Sequence, residues 1–382
     1  MSTQKTERPE CSEARRIVVK VGSGVLTRDG AVNSRIFSEI ARQVSALRDQ
    51  EREVIVVSSG AIAIGARDLG WDTPGHSIPE KQAAAAVGQI GLIDLYRKRF
   101  AKHGHVVAQV LVTRAGLEDR ERFLNARHTL HKLLELGVVP IVNENDTVAT
   151  DEIRFGDNDR LSATILNLAA ADLLVILTDV DGLFRTPPRH DTPRPALIDV
   201  VDEITADVEH AAQGSPHSFG RGGMTTKLEA ARIAAHGGAA TVLCNGRTKN
   251  ALLRVAAGEP LGTLFRAGNR LTSRKHWLAF TTRTRGTLVV DEGAVSALVS
   301  HGKSLLGAGV TEVLGNFGIG DPVACEAPDG RSIARGLVAY SSDEIRRITG
   351  ISAHKIPQVL GYSNGDAVIH RDDLVLLREP PE

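Results

Sequence analysis

Two lysines stand where a phosphate could be held. Lys20 sits in the apolar run of residues 15–21, directly before Gly22-Ser23-Gly24. The bare backbone of a glycine-rich turn can approach an anion closely, and a cation beside it supplies the opposite charge. The same residues also fit a strand-end lysine reaching solvent along its methylene stem, and the spacing is not that of a Walker P-loop. The stronger signal is Ser218-Phe219-Gly220-Arg221-Gly222-Gly223-Met224-Thr225-Thr226-Lys227, where three glycines, two threonine hydroxyls and a lysine meet at the start of a helical pattern. Such a segment combines a backbone nest, a helix N-terminus and a mobile cation. Its bland alternative is a flexible loop.

Three further loops carry polar side chains. Ser58-Ser59-Gly60-Ala61 ends one strand pattern and opens a helix. Its hydroxyls and N–H groups suit an anion, and either serine equally suits a helix cap. Asn143-Glu144-Asn145-Asp146 follows the strand pattern VVPIVN. An acid and amides there could hold the ammonium and carboxylate of an amino acid, although an Asx-rich turn has the same composition. Gly156-Asp157-Asn158-Asp159 precedes a helix that Asn158 or Asp159 could simply cap. In the functional alternative, Asp159 orients the lysines or binds Mg²⁺ through water.

The elements that must position these loops alternate along the chain. Strand patterns fall at residues 15–21, 53–59, 105–112, 138–143, 172–178 and 239–245, and helical patterns at 33–50, 79–102, 120–136, 159–171 and 225–236. Strands apolar on both faces and alternating with helices predict an α/β fold, an αβα sandwich on a mainly parallel sheet. Functional loops should then leave the C-terminal ends of the strands. After residue 286 the strands become short and turn-separated, with Pro328-Asp329-Gly330 reading as a hairpin turn, which predicts a small, mostly β domain. The expected organisation is a loose tail over 1–14, a catalytic domain over 15–265, a basic linker over 266–285, a β domain over 286–375 and a short tail over 376–382.

Composition narrows the function class. Formal net charge is zero, so the chain as a whole is no obvious polyanion binder. The linker carries six Lys or Arg and no acid, while residues 286–382 carry eight Lys or Arg against thirteen Asp or Glu, a net of −5. RNA affinity draws on basic phosphate contacts, so RNA binding by the small domain is disfavoured. Three scattered cysteines, Cys11, Cys244 and Cys325, suggest neither a zinc site nor a disulfide framework and fit a reducing cytoplasm. The polar start of the chain does not read as a signal peptide, and no run of about 18 apolar residues predicts a membrane span.

Lys20-Val21-Gly22-Ser23, SSGAIAIG, NENDTVATDEIRFGDNDRLSA, LTDVDGLF and GRGGMTTK follow one another in an order that resembles the glutamate 5-kinase family of the amino-acid kinase superfamily. The part after residue 286 resembles the PUA domain that bacterial members often append. The resemblance covers about residues 15–375, and the NENDTVAT and GDNDRLSA pair is its most specific part. It implies that Lys20 and Lys227 contact ATP phosphates and the transferred group, and that Asp159 organises the lysines. Ser59, Asp146 and Asn158 would bind L-glutamate. Thr178 and Asp179 would lie near the nucleotide, with Arg221, Gly222, Gly223, Met224, Thr225, Thr226 and Lys227 over its phosphates. Arg221 departs from the small hydroxyl residue expected there. ATP with Mg²⁺, a homo-oligomer, and L-glutamyl 5-phosphate as the entry to proline synthesis are likewise implied by the resemblance.

A side-chain carboxylate with a pKa near ~4.3 is ionised at neutral pH and needs no general base to attack a phosphoryl group. The obstacle is anion meeting anion, which lysines and helix N-termini relieve. A sister kinase acting on acetylglutamate, aspartate or a nucleoside monophosphate shares these features, since fold alone does not choose the substrate.

Overall fold

The computed structural model describes residues 8–28, 31–148, 158–186, 195–213, 223–268 and 282–377. The chain divides into two compact units, Met1–Leu271 and Thr272–Glu382. The strands of the first unit are β1 (Arg16–Val21), β2 (Thr27–Arg28), β3 (Ala31–Val32), β4 (Glu53–Ser58), β5 (Val107–Val112), β6 (Val139–Glu144), β7 (Leu173–Thr178), β8 (Val200–Val201), β9 (Ala240–Asn245) and β10 (Thr263–Phe265). Eight of them form one sheet in the order β5-β6-β4-β1-β7-β9-β10-β8, and β2 and β3 pair separately. From β5 to β9 every neighbouring pair is parallel. β10 then runs antiparallel to β9 and parallel to β8, a reversed edge that the sequence pattern does not reveal.

The β-branched runs explain the sheet. Ile17, Val18, Val19 and Val21 of β1 are all buried, as are Leu173, Leu174, Val175 and Ile176 of β7. Both faces of these strands are therefore covered, which is how parallel strands persist in water. The helix Ser34–Arg48 contributes Ile36, Phe37, Ile40, Val44 and Leu47 to one core with these strands. The helix Ile78–Ala101 begins with a capping box between Ser77 and Glu80 and has Pro79 in its first turn. It packs on the short helix Ala61–Asp68 with almost no separation. A Cβ on Gly88 would stand 1.9 Å from the carbonyl oxygen of Ala61, and one on Gly65 would stand 1.7 Å from that of Ala84. Only glycine at both positions permits this crossing.

Residues 8–14, expected within a loose tail, are packed. Arg8 is buried and its guanidinium donates to the carbonyls of Asp199, Leu261 and Gly262. Orphaned edge carbonyls recruit the donor, which composition alone could not foretell. Part of the expected linker is also attached: Arg266 N–H donates to Val201 and Gly268 N–H to Ala235. Residues 269–281 lie outside the described residues.

The second unit adds β11 (Gly286–Val290), β12 (Leu305–Leu306), β13 (Val310–Gly315), β14 (Pro322–Glu326), β15 (Ser332–Leu337), β16 (Ala367–Ile369) and β17 (Leu374–Leu376). Five form a sheet in the order β13-β11-β14-β15-β17, and β12 pairs with β16. The Pro328-Asp329-Gly330 turn does join an antiparallel pair, β14 and β15, with Gly330 at φ +82°. Residues 367–376 form two strands, β16 and β17, separated by a 3-10 turn over Arg371–Asp373. Helices Glu292–Val299 and Ser342–Ile348 supply Leu298, Ile345 and Ile348 to a separate core.

Candidate active site

The expected loops do converge on the C-terminal ends of the central strands. β1 carries Lys20, and the helix Asn158–Leu168 carries Asp159 in its first turn. The helix Met224–His236 carries Thr226 and Lys227. Lys20 Nζ lies 2.7 Å from Asp159 Oδ1, and Lys227 Nζ lies 3.1 Å from Oδ2. Thr226 Oγ1 donates to the same Oδ2 at 2.7 Å. Asp159 has 0% of its surface exposed, Lys20 6% and Lys227 7%. Lys20 is therefore no snorkelling surface lysine, and Asp159 spends its side chain on cations rather than on a helix cap.

Lys20 and Lys227 share the single carboxylate of Asp159. Burial alone would raise the Asp159 carboxyl. The charges of Lys20 and Lys227, with the Thr226 hydroxyl, outweigh burial and hold it below the 3.8 of a free aspartate. Lys227 is shifted down from 10.5, first by burial and then by the neighbouring Lys20, against the pull of Asp159. Two buried ammonium groups share Asp159, and Lys227 also feels Asp179; cations so placed suit an arriving anion.

A second network lies beside the first. Asn158 Nδ2 reaches Ser59 Oγ at 2.9 Å, Asn143 Oδ1 at 3.1 Å and the Ser58 carbonyl at 3.3 Å. Asn143 Nδ2 donates in turn to Gln89 Oε1 at 2.9 Å. These contacts tie together the ends of β4 and β6 and the starts and flanks of two helices. Neither serine caps the helix Ala61–Asp68. Gly60, at φ +106°, occupies the cap position without a side-chain bond, so Ser59 is left for Asn158. Ser58 instead contacts the buried Tyr96 hydroxyl at 2.9 Å. Asp146 lies in the turn after β6 and lines a cavity of about 500 Å³ together with Gln89, Gln109, Glu144, Asn145 and Thr147.

On the other side of β1, the Thr178 hydroxyl donates to Asp179 Oδ1. A Cβ on Gly24 would stand 2.9 Å from Asp179 Oδ2, so this loop and the end of β7 are in contact. Arg247, which no motif marks, donates from Nη2 to the carbonyls of Gly24 and Thr27 at 2.7 and 3.2 Å. Gly223, Met224 and Thr225 are described at the start of the helix Met224–His236, whereas Arg221 and Gly222 lie outside the described residues, as do Gly156 and Asp157. All three cysteines are buried. Burial pushes the Cys11 thiol up to about 11 and the Cys244 and Cys325 thiols up to about 12, which removes them as thiolate nucleophiles at neutral pH.

Sequence reasoning reached Lys20, Ser59, Asn158, Asp159 and Lys227, and the structure brings these into two adjoining networks. It missed Gln89. The signal was a lone amide in the small-residue run AAAAVGQIG, a polar interruption on a helix that packs closely.

Residues 15–245 match the model of the amino acid kinase family, and residues 286–360 match that of the PUA domain. A glutamate 5-kinase of Geobacter sulfurreducens is 52% identical over 96% of this chain and 98% of its own length. A glutamate 5-kinase of Burkholderia multivorans is 50% identical over 96% of this chain and 99% of its own. A solved UMP kinase of Bacillus anthracis covers 68% of this chain and 98% of its own, at 18% identity and a TM-score of 0.45. No helix among the described residues is long and apolar enough to cross a membrane.

Proposed function

The chain belongs to the amino acid kinase family, and from that premise we propose that it transfers the γ-phosphoryl group of ATP to the side-chain carboxylate of L-glutamate, giving L-glutamyl 5-phosphate and ADP. The observation that carries this reading is the buried Asp159 shared by Lys20 and Lys227. The reaction joins two anions. An already ionised carboxylate oxygen attacks phosphorus as the bond to the ADP oxygen breaks, and no proton need be moved. What lowers the barrier is charge stabilisation and alignment. Two cations held by one fixed carboxylate supply that stabilisation without reorganising during the step.

In this reading Lys20 and Lys227 contact the phosphates and the transferring group. The N–H groups at the start of the helix Met224–His236 and the Gly22–Gly24 turn line the nucleotide side. Thr178 and Asp179 lie beside that turn. Ser59, Asn158 and Asp146 take the amino acid. β6 and β1 are separated only by β4, so a substrate with its ammonium at Asp146 and its reacting carboxylate at the lysines bridges about two strand spacings, roughly 10 Å with side chains included. Mg²⁺ would arrive with ATP and supply further charge neutralisation. Among the described residues no three His, Cys, Asp or Glu side chains are grouped to hold a metal, and both oxygens of Asp159 are engaged. Those donors fit a cation held chiefly by phosphate oxygens and water. The product of this step is the entry to proline synthesis.

The test is a panel of glutamate, aspartate, N-acetylglutamate and UMP with ATP, trapping acyl phosphate as hydroxamate and measuring ADP. Glutamate should give the highest kcat/KM together with hydroxamate. ADP release with UMP and none with glutamate would replace this reading by that of a nucleotide kinase.

A further inference from the structure

We propose that Gln89 is a substrate-positioning residue, fixing through Asn143 the direction in which Ser59 and Asn158 face the amino acid. The inference rests on the function proposed above and adds a residue to its substrate site.

The direction of the network can be worked out bond by bond. The Ser58 carbonyl can only accept, so the Asn158 side chain must turn its Nδ2 toward it. The two hydrogens on that Nδ2 are shared among this carbonyl, Ser59 Oγ and Asn143 Oδ1. With its oxygen thus used, Asn143 must point its Nδ2 the other way, and Gln89 Oε1 accepts it. Asn143 is 1% exposed. Without Gln89, its amide would be a buried donor lacking a partner, at a cost that drives it to rotate and abandon Asn158.

Two consequences face the substrate. Ser59 accepts from Asn158, so its own hydroxyl hydrogen is left to donate, which suits a carboxylate. Asn158 has committed its Nδ2, and its Oδ1 makes no hydrogen bond among the described residues, which suits an ammonium group. Reversing Asn143 would undo both. Gln89 itself is held by the backbone: Gly88, its neighbour, lies at the contact with Ala61 and Gly65 that admits no Cβ. Its Nε2 is closed off from solvent and has no hydrogen-bond partner among the described residues. The side chain therefore contributes one accepted bond and leaves its donors unused, a poor arrangement if it served stability alone.

That asymmetry supplies the control. Gln89→Glu keeps an oxygen to accept from Asn143, gives up the unused donor and adds a carboxyl charge at neutral pH. Gln89→Met keeps the length and removes the acceptor. In the full-length enzyme, the KM for glutamate should rise roughly 10- to 100-fold in Gln89→Met, the range for losing a hydrogen bond to a charged group. The KM for ATP should stay within about twofold, and Gln89→Glu should restore glutamate KM to within a few-fold of the parent. Thermal denaturation of both variants monitors folding. Equal rises in the two KM values, or a Gln89→Glu enzyme no better than Gln89→Met, would overturn the assignment. If Gln89→Met does not fold, the comparison of Gln89→Glu with Gln89→Leu decides it in the same way. A parent enzyme that phosphorylates another acid but not glutamate would overturn the function and this role together. An active parent with unchanged glutamate KM in Gln89→Met would overturn this role alone.

Discussion

Lys20 and Asp159 form a 2.7 Å ion pair in which neither side chain is more than 8% exposed. The pair is asymmetric, because Asp159 also holds Lys227 and Thr226. A carboxylate with three partners organises the site.

Asp159→Asn should remove the carboxylate that two buried ammonium groups share. Breaking a buried pair from one side costs about 3–5 kcal/mol, so the midpoint of denaturant unfolding should fall clearly. Turnover should drop by roughly 10² or more, as when a preorganised electrostatic group is lost. The stability difference has a defined pH dependence. The folded-state carboxyl is depressed below 3.8. Its contribution is therefore complete above that value and is lost as pH falls through the lower folded value. Parent and variant unfolding curves should converge only in strong acid. Convergence already at pH 5 would contradict the assignment.

Lys20→Ala and Lys227→Ala should each reduce kcat by roughly 10²–10³. Either variant leaves Asp159 with one lysine, so both should fold. The pair can also be read by pH. Lys227 is shifted below 10.5, so folding favours its neutral form and it loses its proton earlier than a free lysine on going alkaline. The kcat/KM for ATP, which reports the free enzyme, should fall with an apparent pKa below 10.5. Lys227→Arg should move that limb upward. A profile flat to the ordinary lysine value in the parent would argue against Lys227 as the titrating contact.

Asp146→Ala should raise the KM for glutamate far more than that for ATP. Truncating one member of a hydrogen-bonded charge pair costs about 2–5 kcal/mol when buried. Asp146 is half-buried, so a rise near the lower end, roughly 30-fold, is expected. Steady-state kinetics with each substrate varied in turn would settle it. Parallel changes in both constants would mark the turn as structural.

A chain ending after Gly268 should keep ATP-dependent formation of glutamyl hydroxamate. Lys20, Ser59, Asp146, Asn158, Asp159 and Lys227 all lie in the unit Met1–Leu271. The isolated residues 286–382 should show little RNA binding at physiological salt, because eight Lys or Arg stand there against thirteen Asp or Glu and RNA affinity draws on basic phosphate contacts. A folded but inactive truncation would give the small unit a part in catalysis. Tight RNA binding that falls steeply with salt would give it a nucleic-acid function instead.

Sequence alone determined the parallel sheet and most of its elements. Aliphatic runs such as 17–21 and 173–177 have no stable home except between two covering layers, and the helices between them carry apolar residues at helical spacing. Sequence alone also marked Lys20, Asp159 and Lys227 as candidates, while their local spacing equally fitted a solvent-reaching lysine, a helix cap and a flexible loop, and only the family resemblance gave them roles. What it left open was how each polar side chain is spent. Ser58 and Ser59 had the same chemistry as helix caps, and so did Asn158 and Asp159. Only the tertiary structure decided between them, by bringing the end of β6 and the flank of the helix Ile78–Ala101 to Asn158 and by closing two lysines on Asp159. Gln89 was illegible for the same reason. A hydrogen bond between residues distant in the chain leaves no periodicity behind, and it exists only once the Gly65–Gly88 crossing has fixed where the helix lies.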